Sequence, residues 1–331
     1  MTFPAIFGLS GPALSPDERA FFRTANPAGF ILFGRNCESP AQLHALTDAL
    51  RDAAGGDDLL ICIDQEGGRV ARLRGPAWPD FPAAGVLAAL YEKAPMTAIE
   101  AARANAAAMG AVLREAGVTA DLAPVLDLVH DGAHGVISDR AFGACPMQVA
   151  ALGRAVLEGL ASAGVLGCIK HMPGHGRAPA DSHHELPVVD ASKEELAQDF
   201  APFRRLASAP IGMVAHVLYM ALDPDRPATL SPGIIEETIR RDIGFTGLLL
   251  SDDIAMGALT GTAPERAVAV VAAGCDLALH CSGELAEMEA VAEALAEMSA
   301  EASGRLQAIR FPDSPPIDYQ TAADRRDALL G

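Results

Sequence analysis

The sequence predicts an α/β fold, a single (β/α)8 TIM-type barrel, and three observations support this prediction. Eight short apolar runs rich in Val, Ile and Leu recur along the chain with little alternation of polar and apolar residues, as is typical of parallel strands buried on both faces. Longer amphipathic stretches separate the runs, which is the pattern of strand–helix crossovers. The length of 331 residues accommodates a barrel of ~250 residues with insertions.

The predicted strands are short, and any irregularity is expected in the first units of the barrel. In chain order they are residues 5–10, 29–34, 59–64, 120–128, 165–171, 212–219, 247–252 and 276–281. Helices are inferred where apolar residues recur on one face, as Leu43, Leu46, Leu50 and Ala53 do. The predicted helices are residues 40–53, 97–116, 148–163, 192–207, 232–242, 264–273 and 284–298.

We expect residues 1–331 to form one catalytic domain, because no linker or change of composition divides the chain. Three prolines, Pro312, Pro315 and Pro316, mark residues 310–331 as a C-terminal tail packed on the barrel. An open, doubly wound sheet is the alternative fold. That fold would require a G-x-G-x-x-G turn after an early strand, and the sequence has none there.

The charge balance argues against two classes of partner. The chain carries 43 acidic and 25 basic residues, which gives a formal charge of −18. Nucleic acids and anionic membranes do not attract such a surface, so neither is an expected partner. Half of the residues are apolar, which is enough to form a buried core. We expect a monomer or a weak homo-oligomer.

The cysteines and the N-terminus indicate a cytoplasmic protein. The six cysteines form no C-x-x-C pair, and Cys62, Cys168 and Cys275 lie in apolar runs, so we interpret the set as small core residues in a reducing compartment. The N-terminus has neither the basic segment nor the long apolar segment of a signal peptide. No uninterrupted apolar run reaches the ~18 residues of a membrane span.

Polar side chains gather where the predicted strands end. In a parallel barrel these ends meet at one mouth, where the chemistry takes place. The polar residues at or near strand ends are Asp64 to Arg72, Asp127, Asp139 and Arg140, Lys170 to His184, His216, and Asp252 with Asp253. Their shared position predicts a catalytic mouth more strongly than any one motif does.

The pair Asp252 and Asp253 ends the seventh predicted strand. Because successive strand residues point to opposite faces, only one of the two can easily face the mouth. That carboxylate is a candidate nucleophile. A helix N-cap is an equally good interpretation of the pair taken alone. Asp252 could react while Asp253 caps or hydrogen-bonds the loop.

The segment from Lys170 to His184 holds four of the nine histidines. One hypothesis is a metal site formed by His171, His175, His183 and Asp181. We favour another, because Pro and Gly between the first two histidines break the helix that would align them. In it, the segment is a glycine-hinged loop whose His183 transfers protons and is oriented by Asp181. A polar surface loop without function is the third interpretation.

Asp64 follows the third predicted strand, in the segment Asp-Gln-Glu-Gly-Gly-Arg. A carboxylate at this position can accept two hydrogen bonds from a sugar diol. Arg72 and Arg140 are candidate forked donors to hydroxyl or carboxylate groups. Each could equally form a surface ion pair.

Four motifs together resemble a known family. They are Asp64-Gln-Glu-Gly-Gly-Arg-Val70, Lys170-His-Met-Pro-Gly-His-Gly176, Asp181-Ser-His183 and Ser251-Asp-Asp-Ile-Ala-Met256. In this order they are similar to the bacterial β-N-acetylhexosaminidases of glycoside hydrolase family 3, whose fold is a (β/α)8 barrel. Met172 departs from the pattern, since Phe is common there.

The resemblance implies roles for the predicted residues. Asp252 would be the nucleophile, and His183 the general acid/base paired with Asp181. Positions that bind the non-reducing N-acetylglucosamine are matched by Asp64, Arg72, Arg140, Lys170 and His171. Some family members take a Glu acid from a second α/β domain. Because this chain ends soon after the eighth unit, we expect the acid on its own histidine loop.

The implied reaction is hydrolysis with retention of the β configuration through a glycosyl-enzyme, without cofactor or metal. The implied partner is a carbohydrate, a muropeptide with N-acetylglucosamine linked to 1,6-anhydro-N-acetylmuramic acid, in peptidoglycan recycling. A β-N-acetylglucosaminide phosphorylase is the alternative in the same class. A metal-dependent hydrolase and a non-catalytic sugar-binding barrel are less favoured alternatives.

Overall fold

Eight parallel strands close into one barrel, which confirms the predicted fold. The computed structural model describes residues 2–56, 59–130 and 132–331. Neighbours around the barrel are neighbours in the chain, and the first strand pairs with the last. The strands are β1 (Phe3–Gly8), β2 (Pro27–Leu32), β3 (Leu60–Ile63), β4 (Ala120–Asp121), β5 (Leu166–Met172), β6 (Ile211–Val214), β7 (Leu248–Asp253) and β8 (Leu277–His280).

The fourth strand is much shorter than predicted. β4 comprises two residues, and the chain beyond it contains Pro124, which has no N–H to donate to a neighbouring strand. The segment still runs beside β5, because the N–H of Leu126 donates to the carbonyl of Lys170 at 2.7 Å. The apolar run to residue 128 is therefore a strand followed by an extended segment along the barrel.

The sixth and first strands also deviate from regular pairing. β6 ends at Val214, and the second part of its predicted run, Leu218–Tyr219, pairs with Val188–Val189 in a separate small sheet. The pairing of β1 with β2 shifts register between Phe3 and Ile6. The expected irregularity in the first units is thus one of strand register.

Helices cover the outside of the barrel. They are α1 (Pro16–Ala25), α2 (Pro40–Ala54), α3 (Ala84–Tyr91), α4 (Pro95–Glu115), α5 (Pro146–Ser162), α6 (Lys193–Arg205), α7 (Ala263–Ala273), α8 (Leu285–Ala294), α9 (Ala300–Ala308) and α10 (Tyr319–Leu330), with a π-helix at Ile234–Ile243 between α6 and α7. The π-helix occupies the position of the predicted helix 232–242.

N-terminal capping residues explain one helix that was not predicted and another whose predicted range was too long. Ser15 and Glu18 form a capping box at the start of α1, with each side chain accepting the other's backbone N–H. The predicted helix 284–298 ends at Ala294, and Ser299 caps a new helix, α9, by accepting the N–H of Ala302 at 3.1 Å.

The residues after the barrel lie against its outer helices. Ala322 and Ala323 of α10 are buried in the core that lies between strands and helices. Ser314 accepts from Arg114 of α4 through its carbonyl at 2.6 Å, and its hydroxyl donates to the carbonyl of Ala161 in α5 at 2.9 Å. Within the described residues, no helix is long and apolar enough to cross a membrane.

All six cysteines are free thiols, but not all are core residues as expected. Four are buried, namely Cys62, Cys168, Cys275 and Cys281. Cys37 is half-buried, and Cys145 is exposed because it lies at the N-terminal end of α5, outside the packed interior.

Candidate active site

A cavity of about 400 Å³ lies at the carboxyl ends of the strands. It brings together all eight residues to which the family resemblance gave a catalytic or sugar-binding role, whereas Asp127, Asp139 and His216 do not line it. The eight are Asp64, Arg72, Arg140, Lys170, His171, Asp181, His183 and Asp252. They come from four different strands or the loops after them, so the closure of the barrel is what places them together.

Lys170 lies at the centre of a buried charge cluster on the cavity wall. Its side chain is 2% exposed, and its ammonium contacts Asp64 Oδ1 at 2.7 Å and Glu66 Oε1 at 2.8 Å. Burial alone would lower the pKa of Lys170 and raise those of the two acids. The opposite charges outweigh burial, so the pKa of Lys170 is raised, that of Asp64 is lowered, and that of Glu66 is lowered to about 2.

The two predicted arginines form ion pairs inside this cavity rather than on the outer surface. Arg72 Nη2 donates to Asp64 Oδ2 at 3.0 Å. Arg140 binds Glu66 through both ends of its fork, each at 2.8 Å. Arg140 therefore reaches Asp64 only indirectly, through Glu66 and Lys170. Their pairing keeps donors and acceptors fixed at the edge of the cavity, where hydroxyl groups of a sugar can bridge them.

Glu66 is a site residue that sequence reasoning did not select. It lies two positions after Asp64, and in extended backbone alternate residues face the same side. This spacing is the signal that could have identified it. Its carboxylate joins Lys170 and Arg140, so it holds two of the predicted sugar-binding cations in place.

Asp127 is the second residue whose role was not predicted. It is fully buried, accepts from His171 Nδ1 at 2.7 Å, and accepts from the backbone N–H of His175 at 2.7 Å. Burial would raise the pKa of Asp127, but His171 and the other donors outweigh it and lower the pKa. Because Asp127 engages Nδ1, the ring nitrogen of His171 left for a ligand is Nε2.

Asp252 is the carboxylate that remains available in the cavity. Within the described residues, its one hydrogen bond comes from the backbone N–H of Asp253 at 2.8 Å. Burial would raise its pKa, but nearby His171 and His216, the N–H of Asp253 and Lys170 together outweigh burial, and the pKa is lowered. Asp252 is therefore ionised near neutral pH, which is the state that a nucleophile requires.

Asp253 differs from its neighbour in partners and in pKa. Its Oδ1 accepts the backbone N–H groups of Ala255 at 2.9 Å and Cys281 at 3.2 Å. Burial raises its pKa. Both aspartates contribute to the cavity lining, contrary to the strict alternation expected from the strand, and the pairing between β7 and β8 shifts register in the same region. Within the described residues, the carboxylate of Asp252 accepts one backbone N–H, whereas that of Asp253 accepts two.

Asp181 and His183 form a hydrogen-bonded pair on the loop after β5. His183 Nδ1 lies 2.7 Å from Asp181 Oδ1, which also accepts the backbone N–H of His183 at 3.0 Å. Partial burial would raise the pKa of Asp181, but these two contacts lower it. Since the ionised carboxylate accepts at Nδ1, that nitrogen carries a proton and Nε2 is left to exchange one. The imidazole is 61% exposed at the mouth.

The predicted metal alternative has no matching geometry among the described residues. The imidazoles of His171, His175 and His183 each contact a different side chain, namely Asp127, Ser182 and Asp181. Across the described ranges, no group of three or more His, Cys, Asp or Glu side chains is arranged to hold a metal ion.

Comparison with known proteins places the chain in a family. The glycosyl hydrolase family 3 N-terminal domain matches residues 9–309. The chain is 44% identical over 284 residues to the β-hexosaminidase of Alkalilimnicola ehrlichii, covering 84% of this chain and 80% of that protein. It is 40% identical over 284 residues to the β-hexosaminidase of Bordetella avium, with the same coverage of 84% and 80%. The crystal structure of native NagZ from Neisseria gonorrhoeae superposes with a TM-score of 0.88 at 32% identity, covering 100% of this chain and 98% of that one. The chain therefore belongs to glycosyl hydrolase family 3 and groups with its β-hexosaminidases, as the four sequence motifs predicted.

Proposed function

We propose that this chain is a retaining β-N-acetylhexosaminidase that works through a glycosyl-enzyme on Asp252 and an Asp181–His183 acid/base pair. The observation that carries the proposal is the shared cavity. Among the described residues, the Asp252 carboxylate has no side-chain hydrogen-bond partner, and it lines the same space as the carboxylate-oriented imidazole of His183 and the Lys170 charge cluster. Nucleophile, proton donor and sugar-binding groups are the three components that such a reaction needs.

In the first step, a carboxylate oxygen of Asp252 attacks the anomeric carbon and the bond to the leaving oxygen breaks. His183, as the imidazolium, gives the Nε2 proton to that oxygen. In the second step, neutral His183 takes a proton from water as the water oxygen displaces Asp252. Two inversions at the anomeric carbon leave the β configuration retained.

We assign binding of the terminal N-acetylglucosamine to Asp64, Arg72, Arg140, Lys170 and His171. The carboxylate oxygens accept hydrogen bonds from sugar hydroxyls, and the ammonium, guanidinium and imidazole groups donate them. The mutual pairing of these charges fixes their positions before substrate arrives. A pre-ordered site of this kind loses little side-chain entropy on binding.

For the physiological substrate we propose a muropeptide with N-acetylglucosamine linked to 1,6-anhydro-N-acetylmuramic acid, cleaved in the cytoplasm during peptidoglycan recycling by a monomer or weak homo-oligomer. Support comes from the β-hexosaminidase relatives and the similarity to NagZ. Lys170, Arg72 and Arg140 share two carboxylates, those of Asp64 and Glu66, so this charge cluster carries one excess positive charge.

The test is release of 4-nitrophenol from 4-nitrophenyl β-N-acetylglucosaminide. We expect Asp252→Ala to lower turnover by roughly a thousandfold or more, since the nucleophile is lost. His183→Ala should lower it by roughly a hundredfold. Asp324→Ala, which removes an exposed carboxylate on α10, is the matched control and should retain activity. Wild-type rates in Asp252→Ala would refute the assignment.

A further inference from the structure

A buried contact between His175 and Ser182 bridges two parts of the loop that carries His183. His175 Nε2 lies 3.2 Å from Ser182 Oγ. The two residues are 3% and 2% exposed, whereas the adjacent His183 side chain is 61% exposed. Ser182 is therefore a buried residue that directly precedes a residue with an exposed imidazole. None of the steps proposed above uses either residue.

On one side, Asp127 connects this contact to His171, one of the proposed sugar-binding residues. The backbone N–H of His175 donates to Asp127 Oδ1 at 2.7 Å, and the other oxygen of Asp127 holds His171 Nδ1 at 2.7 Å. Asp127 is fully buried, so its position is fixed by the barrel rather than by the loop. His175 is thus a rigid point from which Ser182 is held.

On the other side, the loop is held by the segment that follows Asp252. The backbone N–H groups of Gly257 and Ala258 donate to the carbonyls of His183 and Ser182, both at 3.1 Å. The approach is close, because a Cβ added at Gly257 would lie 2.7 Å from the carbonyl oxygen of His184. A side chain at this position would push the loop away.

We propose that Ser182, held between His175 and the Gly257–Ala258 backbone, is the positioning residue that fixes the imidazole of His183 relative to Asp252. This inference rests on the acid/base role proposed for His183. The hydroxyl of Ser182 hydrogen-bonds to His175, and its carbonyl accepts the N–H of Ala258, in the segment that follows Asp252. The side chain one position later is therefore presented at a defined place between the two. Loss of either contact misplaces the proton donor but leaves the nucleophile and the charge cluster in place.

The experiment compares kcat/KM for two substrates that differ in their need for a proton. Phenyl β-N-acetylglucosaminide has a poor leaving group and needs general acid assistance, whereas the 2,4-dinitrophenyl substrate needs almost none. We expect Ser182→Ala to lower kcat/KM about tenfold for the phenyl substrate and no more than about twofold for the dinitrophenyl one. Gly257→Ala, which disturbs the loop from the other side, should give the same selective loss.

Two further variants make the result decisive. Gly304→Ala in α9 is the matched control, since a Cβ there meets nothing within 4 Å, and it should change neither value. His183→Ala should show the selective loss more strongly. If it shows none, the acid/base assignment is wrong. If His183→Ala is selective but Ser182→Ala and Gly257→Ala lower both values equally, or lower neither, the positioning role alone is overturned.

Discussion

Lys170 and Asp252 illustrate how surroundings decide the state of single residues in this site. Lys170 is almost fully buried and stays charged because Asp64 and Glu66 lie within 2.8 Å of its ammonium. Removing one partner of such a buried pair typically costs about 3–5 kcal/mol, since the remaining charge is left uncompensated. In the part of the chain that the structure describes, Asp252 has no such side-chain partner, and its pKa is lowered, against burial, by nearby groups that include His171, His216 and Lys170. The ion pairs fix the position of the Lys170 ammonium, whereas the carboxylate of Asp252 stays ionised and available to react.

His175 predicts a dependence of stability on pH. Burial and the neighbouring His171 lower its pKa from 6.5 to about 4, although Asp127 opposes the shift. Between these two values, the unfolded chain binds a proton at this residue that the folded chain does not. The free energy of unfolding should therefore fall as the pH drops from 6.5 to about 4, by at most about 3 kcal/mol from this group.

Denaturant unfolding at several pH values measures this effect. His175→Gln should flatten the slope in that range, because the group that titrates is gone. His44→Gln, at an exposed histidine in α2, is the matched control and should keep the wild-type slope. An unchanged slope in His175→Gln would mean that other groups are responsible for it.

The predicted site residues lie in one cavity. The sequence could predict this because each of them lies at or after the end of an apolar run, and the ends of parallel strands meet at one mouth. Partner geometry could not be predicted in the same way. Glu66 binds Lys170 and Arg140, and Asp127 binds His171, and only the folded barrel reveals these contacts. The sequence left both arginines open between ligand donors and ion pairs. In the structure both are paired, at the edge of the cavity.

Among the elements, strands were predicted well where branched aliphatic runs are continuous, and less well where proline or a loop interrupts them. β4 is short beside Pro124, and α1 was missed although Ser15 and Glu18 form a capping box. The unpredicted helix α3 lies between β3 and α4, where the sequence analysis assigned no element. Register shifts at β5 and β7 depend on neighbouring strands and are not encoded in either strand alone.

The loop after β5 depends on close backbone approach at Gly176. A Cβ at this position would lie 1.9 Å from the carbonyl oxygen of Leu128, in the segment after β4. Gly176→Ala should therefore displace one segment or the other, with a stability loss of about 1–3 kcal/mol. We expect a lower Tm and, because the loop carries His183, reduced hydrolysis of 4-nitrophenyl β-N-acetylglucosaminide. Gly304→Ala should lower neither, and an unaltered Tm in Gly176→Ala would contradict the packing described.

At the scale of the whole molecule, the closed barrel converts distant motifs into one site. Asp64 and Asp252 are far apart in sequence, but Asp64 directly follows β3 and Asp252 lies in β7 of the same barrel. The formal charge of −18 has no counterpart in the cavity lining, which contains five acidic residues and five lysine or arginine residues. We interpret the overall acidity as a property of the outer surface that favours solubility.

We predict that the reaction requires neither phosphate nor a metal ion. An imidazole acid/base could also admit phosphate as the attacking group, since it presents no second carboxylate to repel an anion. We expect turnover to continue in phosphate-free buffer and after treatment with a strong chelator, measured as 4-nitrophenol release. A requirement for phosphate would make the protein a phosphorylase, and inactivation by the chelator would favour a metal-dependent hydrolase.

Trapping the glycosyl-enzyme tests the proposed chemistry most directly. The protein is incubated with a fluorinated N-acetylglucosaminide that has a good leaving group and turns over slowly, digested, and analysed by tandem mass spectrometry. We expect the mass of one fluorinated N-acetylglycosyl unit on the peptide that contains Asp252, attached through its carboxylate, and none in Asp252→Ala. An adduct on a different residue, or steady turnover by Asp252→Ala, would contradict the assignment of Asp252 as the nucleophile.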